Sequence, residues 1–235
     1  MSVHPHATST STSIATGRTV LLAGATGLVG RELLRGLLAD TGVATVHALV
    51  RRPLADTHPK LVVHVVDFAA LPPLPAADEV YLALGTTIRV AGSQASFRAV
   101  DFDANLAVAQ AARSSGALRA GLVSAMGADP QSRVFYNRVK GELEAALPGL
   151  GFEGLVIARP SLLVGERASL GQPHRPGETV GLWVDRCLGP LIPWDYRAIA
   201  AADVAAALRR VVPTSASVQV LRSGAMQKAS AHGQA

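Results

Sequence analysis

The sequence predicts a single doubly wound α/β domain, a parallel sheet covered by helices on both faces, and three observations predict it. From Thr19 onward, short continuous apolar runs alternate with longer segments of helical period, the pattern of strands buried on both faces and joined by covering helices. The chain has 235 residues, enough for one generous core and too few for two ordinary ones. Apolar residues make up 49% of it and aromatics only 4%, so that core is expected to consist mainly of Leu, Val and Ala.

Residues 1–17 are a Ser/Thr/His/Pro mixture with almost no large apolar side chains. Such a segment cannot repay its ordering entropy, so a disordered tail is expected there. The first strand is expected at Thr19–Ala23. It leads through a glycine loop into a helix whose stripe is Val29, Leu33 and Leu37 with Leu34 and Leu38 beside it, a spacing that turns one face to a sheet. Further strands are expected at Thr45–Val50, Leu61–Val66, Glu79–Leu84, Arg119–Ser124, Gly154–Ala158 and Ser217–Leu221. Helices are expected over Ser96–Ser114, with Asn105 on the surface, and over Arg133–Leu147 and Ala202–Val211. Pro-rich Leu71–Pro75 interrupts any helix and reads as a surface connection. The alternation lapses over the polar, Gly/Pro-rich stretch Gly165–Thr179 and the more apolar Val180–Trp194 that follows it. The expected organisation is therefore one domain over 18–224, a small substrate cap around 161–200, and a flexible tail over 225–235.

Composition narrows the function classes. The formal charge is +5, yet the arginines are scattered and the longest basic runs are the pairs Arg51-Arg52 and Arg209-Arg210, whereas nucleic-acid binders concentrate charge on one face or arm. No nucleic-acid partner is expected. No apolar run reaches the roughly 18 residues of a membrane span, and the N-terminus lacks the apolar core of a secretory signal. The one cysteine, Cys187, has no internal disulfide partner and, beside Leu182, Trp183 and Leu188, reads as a small packed hydrophobe. A cytoplasmic location is the expectation. The seven histidines show no ligand spacing, so no metal is expected. The expected partner is a small-molecule substrate, and a homodimer is left open.

The chemistry begins at Gly24-Ala25-Thr26-Gly27-Leu28-Val29-Gly30, where the first strand meets the first helix. Glycines there permit a tight turn and a close backbone approach to a pyrophosphate, while unpaired helix N–H groups attract the anion. Gly24, Thr26, Gly27, Leu28, Val29 and Gly30 are accordingly candidate contacts of a dinucleotide in a Rossmann-type site; a plain strand-to-helix turn is the alternative. About 20 residues on, where a NAD enzyme places an acid on the ribose, the chain has Val50-Arg51-Arg52 instead. A guanidinium there can pair with a 2′-phosphate, which favours NADP(H) over NAD(H) through Arg51 or Arg52. A solvated pair at a strand end is the alternative. Leu84-Gly85-Thr86-Thr87 closes the fourth strand; Gly85 would let the cofactor pass, and the threonines could bond phosphate or ribose or simply serve the turn.

Tyr136 and Lys140 stand four apart on an expected helix and so share a face. A nearby ammonium favours the phenolate of a tyrosine whose ordinary pKa is roughly 10, which helps the phenol exchange a proton. With three tyrosines and three lysines in the chain, such a pair arises rarely by chance, although a purely structural pair is the alternative.

Leu122–Asp129, Phe135–Glu142 and Arg159–Arg167 resemble the TIP30-like (HTATIP2-like) branch of the atypical short-chain dehydrogenases, and the resemblance covers residues 19–224. It implies a Rossmann core, NADP(H) binding and a Ser-Tyr-Lys arrangement at the nicotinamide, with Ser124 orienting a carbonyl oxygen, Tyr136 donating the proton and Lys140 holding the ribose. It also implies Asp67 as an adenine contact with Phe68 nearby, and Pro160 and Ser161 at the nicotinamide end. Two departures stand out. Relatives often have a second serine where this chain has Ala125, and extended relatives carry an asparagine where it has Asp101. The expected function is an NADP(H)-dependent oxidoreductase of a small, rather apolar carbonyl or alcohol, with pocket side chains such as Leu162, Leu163, Trp183, Leu191, Ile192 and Trp194. The rival is an NADP(H)-binding regulatory or redox-sensing protein with little catalysis.

Overall fold

The computed structural model describes residues 17–164 and 193–231. Its strands are β1 (Arg18–Ala23), β2 (Val43–Val50), β3 (Leu61–Val65), β4 (Glu79–Leu82), β5 (Arg119–Val123), β6 (Gly154–Arg159), β7 (Leu163–Val164), β8 (Ile199–Ala200) and β9 (Val218–Arg222). Seven of them form one sheet in the order β3-β2-β1-β4-β5-β6-β9, and β7 pairs with β8 separately. Every pairing is parallel. The doubly wound expectation therefore holds, with each expected strand matched to within two residues at either end.

The helices are α1 (Leu28–Ala39), α2 (Ile88–Ala91), α3 (Gln94–Arg98), α4 (Asn105–Ser114), α5 (Phe135–Ala146), α6 (Ala201–Val211) and α7 (Ser223–Ala231). Alternation along β1 explains the layering. Val20 and Leu22 join α1 and α6 in one core, while Leu21 and Ala23 join α4 and α5 in the other. Because successive strand side chains face opposite sides, a continuous apolar run is what two covered faces require. Leu21, Leu22, Leu33 and Leu122 are essentially inaccessible, and each such leucine contributes about 2 kcal/mol of burial. A partly buried polar cluster ties the start of the sheet together: Arg18 pairs with buried Glu79 at 2.7 Å and with Asp40 at 2.8 Å, and Tyr81 donates to Glu79 at 3.0 Å.

Two departures from the expected elements matter. The helix expected at Ser96–Ser114 begins at Gln94, where Ser93 caps it by accepting the Ser96 N–H. It then widens into a π-helical turn at Ala99–Ala104 before α4, although no Pro or Gly marks the place. Where a flexible tail was expected from residue 225, α7 runs to Ala231, with Ser223 and Met226 buried. Residues 1–16, most of the expected cap including Cys187, Trp183, Leu191 and Ile192, and the last four residues lie outside the described residues. Among the described residues no helix is long and apolar enough to cross a membrane.

Candidate functional site

A doubly wound sheet opens a crevice beyond the carboxyl ends of its strands where the strand order reverses, here between β1 and β4. A cavity of about 650 Å³ occupies that crevice. It is lined by Gly27, Leu28, Val29, Leu84, Gly85, Thr86, Thr87, Ser124, Tyr136, Lys140, Pro160 and Ser161 among others, so most of the expected site converges there. Gly24, Thr26, Gly30, Arg51, Arg52, Asp67 and Phe68 are not part of its lining.

The glycines divide by task. Gly24 has φ +91°, and a Cβ there would lie 2.3 Å from the Ala83 carbonyl oxygen; a Cβ on Gly30 would lie 1.9 Å from that of Gly24. Both are demanded by the turn itself. Gly27 is not: its φ is −78°, and a Cβ would meet nothing nearer than 3.4 Å. Gly27 is also the N-cap of α1 and offers no side-chain cap, so the first-turn N–H groups are left to a ligand. A bare cradle at a helix N-terminus fits the diphosphate of a dinucleotide.

Arg51 and Arg52 follow β2, the neighbour of β1, and both are exposed. Asp67 follows β3, and one of its oxygens accepts the Ala69 N–H at 2.9 Å. Thr87 caps α2 by accepting the Val90 N–H at 3.2 Å.

Helix α5 brings Tyr136 and Lys140 to the cavity because Gly141 lets it lie against the loop after β5; a Cβ there would be 2.2 Å from the Asp129 carbonyl carbon. Tyr136 is half-buried with its ring 5.4 Å from that of Phe97. Lys140 is buried, and its Nζ lies 2.7 Å from Oδ1 of Asp101, which is itself inaccessible. Burial alone would lower the lysine's pKa, but Asp101 and then Tyr136 outweigh it, and the net shift is upward. Asp101 sits in the π-helical turn and also accepts the Thr86 N–H at 2.8 Å. Asn105 was expected on a helix surface and is instead fully buried, its Nδ2 donating at 3.2 Å to the carbonyls of Leu84, Val100 and Asp101. The widened turn aims both residues at the loop after β4, where an unbroken helix would present them differently. Sequence reasoning named Asp101 only as a departure and passed over Gly141; the available signal for the first was the polar pair Asp101 and Asn105, four apart on a helix face that Phe97 and Val108 make apolar.

Ser124 reaches the cavity, but its hydroxyl donates to the Glu144 carboxylate. Glu144 is nearly inaccessible and is held by the Arg159 Nε at 3.0 and 3.1 Å. The loop after β5 is fastened to the end of β6 by Ser124 N–H to Ala158 O and Met126 N–H to Pro160 O, both 2.8 Å. That brings Pro160 and Ser161 to the same rim. The Ser161 hydroxyl donates to the Arg197 carbonyl oxygen and its N–H to Ser223 Oγ.

Fold and site together define a Rossmann-type, doubly wound α/β protein. Solved structures share this fold: MoeE5 in complex with UDP-glucose and NAD (TM-score 0.65, 18% identity, 87% of this chain and 76% of that one), and the reductase domain of PhqB from Penicillium fellutanum (0.61, 18%, 87% and 67%). No family model matches the chain. In sequence it is 35% identical over 183 residues to the protein fmp52, mitochondrial, of Emericella nidulans, covering 72% of this chain and 76% of the relative. It is 34% identical over 174 residues to FMP52, mitochondrial, of Candida albicans, covering 68% and 74%. The chain belongs to the Fmp52 family. Those relatives are named as mitochondrial, which overturns the expected cytoplasmic location. An apolar signal is not what a mitochondrial address looks like, because transit segments are Ser- and Arg-rich rather than apolar, and a lone thiol suits any reducing compartment.

Proposed function

We propose that the protein is an NADP(H)-dependent oxidoreductase of the atypical short-chain dehydrogenase type, close to the TIP30-like branch, acting on a small, rather apolar carbonyl or alcohol. The observation that carries this reading is the meeting, in one cavity at the sheet's reversal point, of the bare Gly27 helix terminus with Tyr136 and Lys140. Gly27 and the first turn of α1 would hold the dinucleotide's diphosphate; bound there, the nicotinamide would supply hydride chemistry at a carbonyl carbon, whose oxygen would take the released carbon–oxygen π pair and a proton. Tyr136 gives that proton from its hydroxyl, and in the reverse direction receives it. Lys140 stays an ammonium beside it and offers donors to ribose hydroxyls. Arg51 and Arg52, exposed after β2, pair with a 2′-phosphate, while Asp67 and Phe68 border the adenine. Ile88, Val90, Leu162 and Leu163 line the cavity and favour an apolar substrate. The location carried over from the relatives is mitochondrial.

A second reading, an NADP(H)-binding regulatory or redox-sensing protein with little turnover, is favoured by one observation. The Ser124 hydroxyl is engaged by Glu144, and Ala125 brings no second hydroxyl to the rim. Nucleotide affinity together with turnover of a carbonyl panel separates the two. Under the first reading, Tyr136→Phe lowers turnover by about 10²-fold or more and leaves NADPH affinity nearly unchanged. Turnover equal to wild type refutes the proton-transfer role, and failure to bind either dinucleotide at millimolar concentration refutes both readings.

A further inference from the structure

We infer that Asp101 is a positioning residue of this site: it fixes the Lys140 ammonium and the loop after β4 in one arrangement and, by cancelling the ammonium's charge, keeps Tyr136 a phenol and hence a proton donor. The inference rests on the reading of Tyr136 and Lys140 as a proton-handling pair.

The geometry supplies the argument. One carboxylate serves two clients, the Lys140 Nζ at 2.7 Å and the Thr86 N–H at 2.8 Å, so the charge next to Tyr136 and the backbone bordering the cavity are set together. A Cβ on Gly85 would lie 3.6 Å from Asp101 Oδ1 and 3.9 Å from Lys140 Nζ, which puts the pair directly beneath the loop that walls the cavity. Side-chain exposure is 6% for Lys140 and 1% for Asp101, and water therefore screens neither charge well. A lone ammonium there would pull strongly for a phenolate at Tyr136; paired with a carboxylate it presents a dipole, whose field falls off faster.

The other charged groups around the pair are either paired elsewhere or exposed to water. Glu144, on the same helix, is held by Arg159 of β6. Glu142, also on α5, pairs with Arg98 of α3 and Arg138. Arg89 lines the cavity from α2 and is exposed, and Asp103 in the π-helical turn is exposed. Asp101 is thus the buried charge that decides what Tyr136 senses from Lys140. A tyrosine held as a phenol serves carbonyl reduction, in which the O–H bond breaks toward the carbonyl oxygen, better than alcohol oxidation, which begins by removing a proton.

Phenolate absorbance of the full chain tests this without substrate or cofactor, with the Tyr136→Phe protein subtracted to remove Tyr81 and Tyr196 and circular dichroism following the fold. Asp101→Asn retains an oxygen for the Thr86 N–H and removes the charge. The Tyr136 midpoint is expected to fall by about one pH unit or more; an unchanged midpoint overturns the inference. Because Asp101→Asn leaves Lys140 buried without a counter-charge, Lys140→Met combined with Asp101→Asn provides a second reading in which no charge is stranded. If the pair is electrically neutral toward Tyr136, the double variant titrates within a few tenths of a unit of wild type, and a rise of about a unit or more shows that the lysine's field prevails and overturns the inference. A purely structural Asp101 would change melting temperature and leave both midpoints in place. Absence of turnover by the wild-type protein would defeat the enzymatic reading while leaving this titration fully interpretable.

Discussion

Glycines that look alike in a motif are unlike as residues. Gly30 faces the Gly24 carbonyl oxygen at a distance no Cβ tolerates, and Gly27 faces ordinary contacts and a cavity. Gly30→Ala is therefore expected to destabilise the protein by about 3 kcal/mol through forced backbone displacement. Gly27→Ala should change stability by no more than about 0.5 kcal/mol and weaken NADPH binding by about tenfold or more, since its methyl group stands where the diphosphate must approach. Melting temperatures and dinucleotide titrations of the two variants check this, and the assignment fails if Gly27→Ala binds as wild type does. Among the polar residues, Ser124 and Asn105 make the same point: each is a hydroxyl or amide whose task is read only from what it touches.

At the level of elements, the edge strand β3 meets β2 through a histidine pair. Nδ1 of His47 and Nε2 of His64 lie 2.9 Å apart, although neither belongs to any spacing pattern in the chain. Burial, and then the neighbouring His64, lower the His47 pKa below its ordinary 6.5. A base whose pKa is lower folded than unfolded binds fewer protons in the native state. Its contribution to stability is thus present above pH 6.5 and is lost as the pH falls through the folded value. Wild-type melting temperature should decline on acidification below that point, and His47→Gln should flatten the decline; an identical pH dependence for the two proteins would remove His47 as the cause. The π-helical turn before α4 shows element-scale control at the site, because it turns Asp101 and Asn105 inward together.

For the whole molecule, the strand order places the glycine loop of β1, the arginines after β2 and the Tyr-Lys helix after β5 around one end of the sheet. Under the proposed function a dinucleotide would span them and bind only the folded chain, so at a hundredfold excess over its dissociation constant it should add about 2.7 kcal/mol, or about 5–10 °C in melting temperature for a chain of this size. NADPH should give the larger rise at equal concentration. Arg51→Ala with Arg52→Ala should reduce the NADPH rise to that of NADH; equal losses for both dinucleotides would refute the 2′-phosphate assignment.

What the sequence determined by itself was everything that depends on local periodicity: the seven strands of the main sheet, the principal helices, the glycine loop at the β1–α1 junction, and the Tyr136–Lys140 pair one helical turn apart. Those signals survive in one dimension because strand alternation and the i, i+4 relation are properties of neighbouring residues. The tertiary structure alone decided that Asp101 meets Lys140, that Glu144 and Arg159 claim the Ser124 hydroxyl, that His47 meets His64, and that residues after 222 begin as a helix. Each of the side-chain pairings joins residues from different elements, and which partner a buried charge or hydroxyl finds depends on how closely packed backbones approach, a distance that no spacing along the chain encodes.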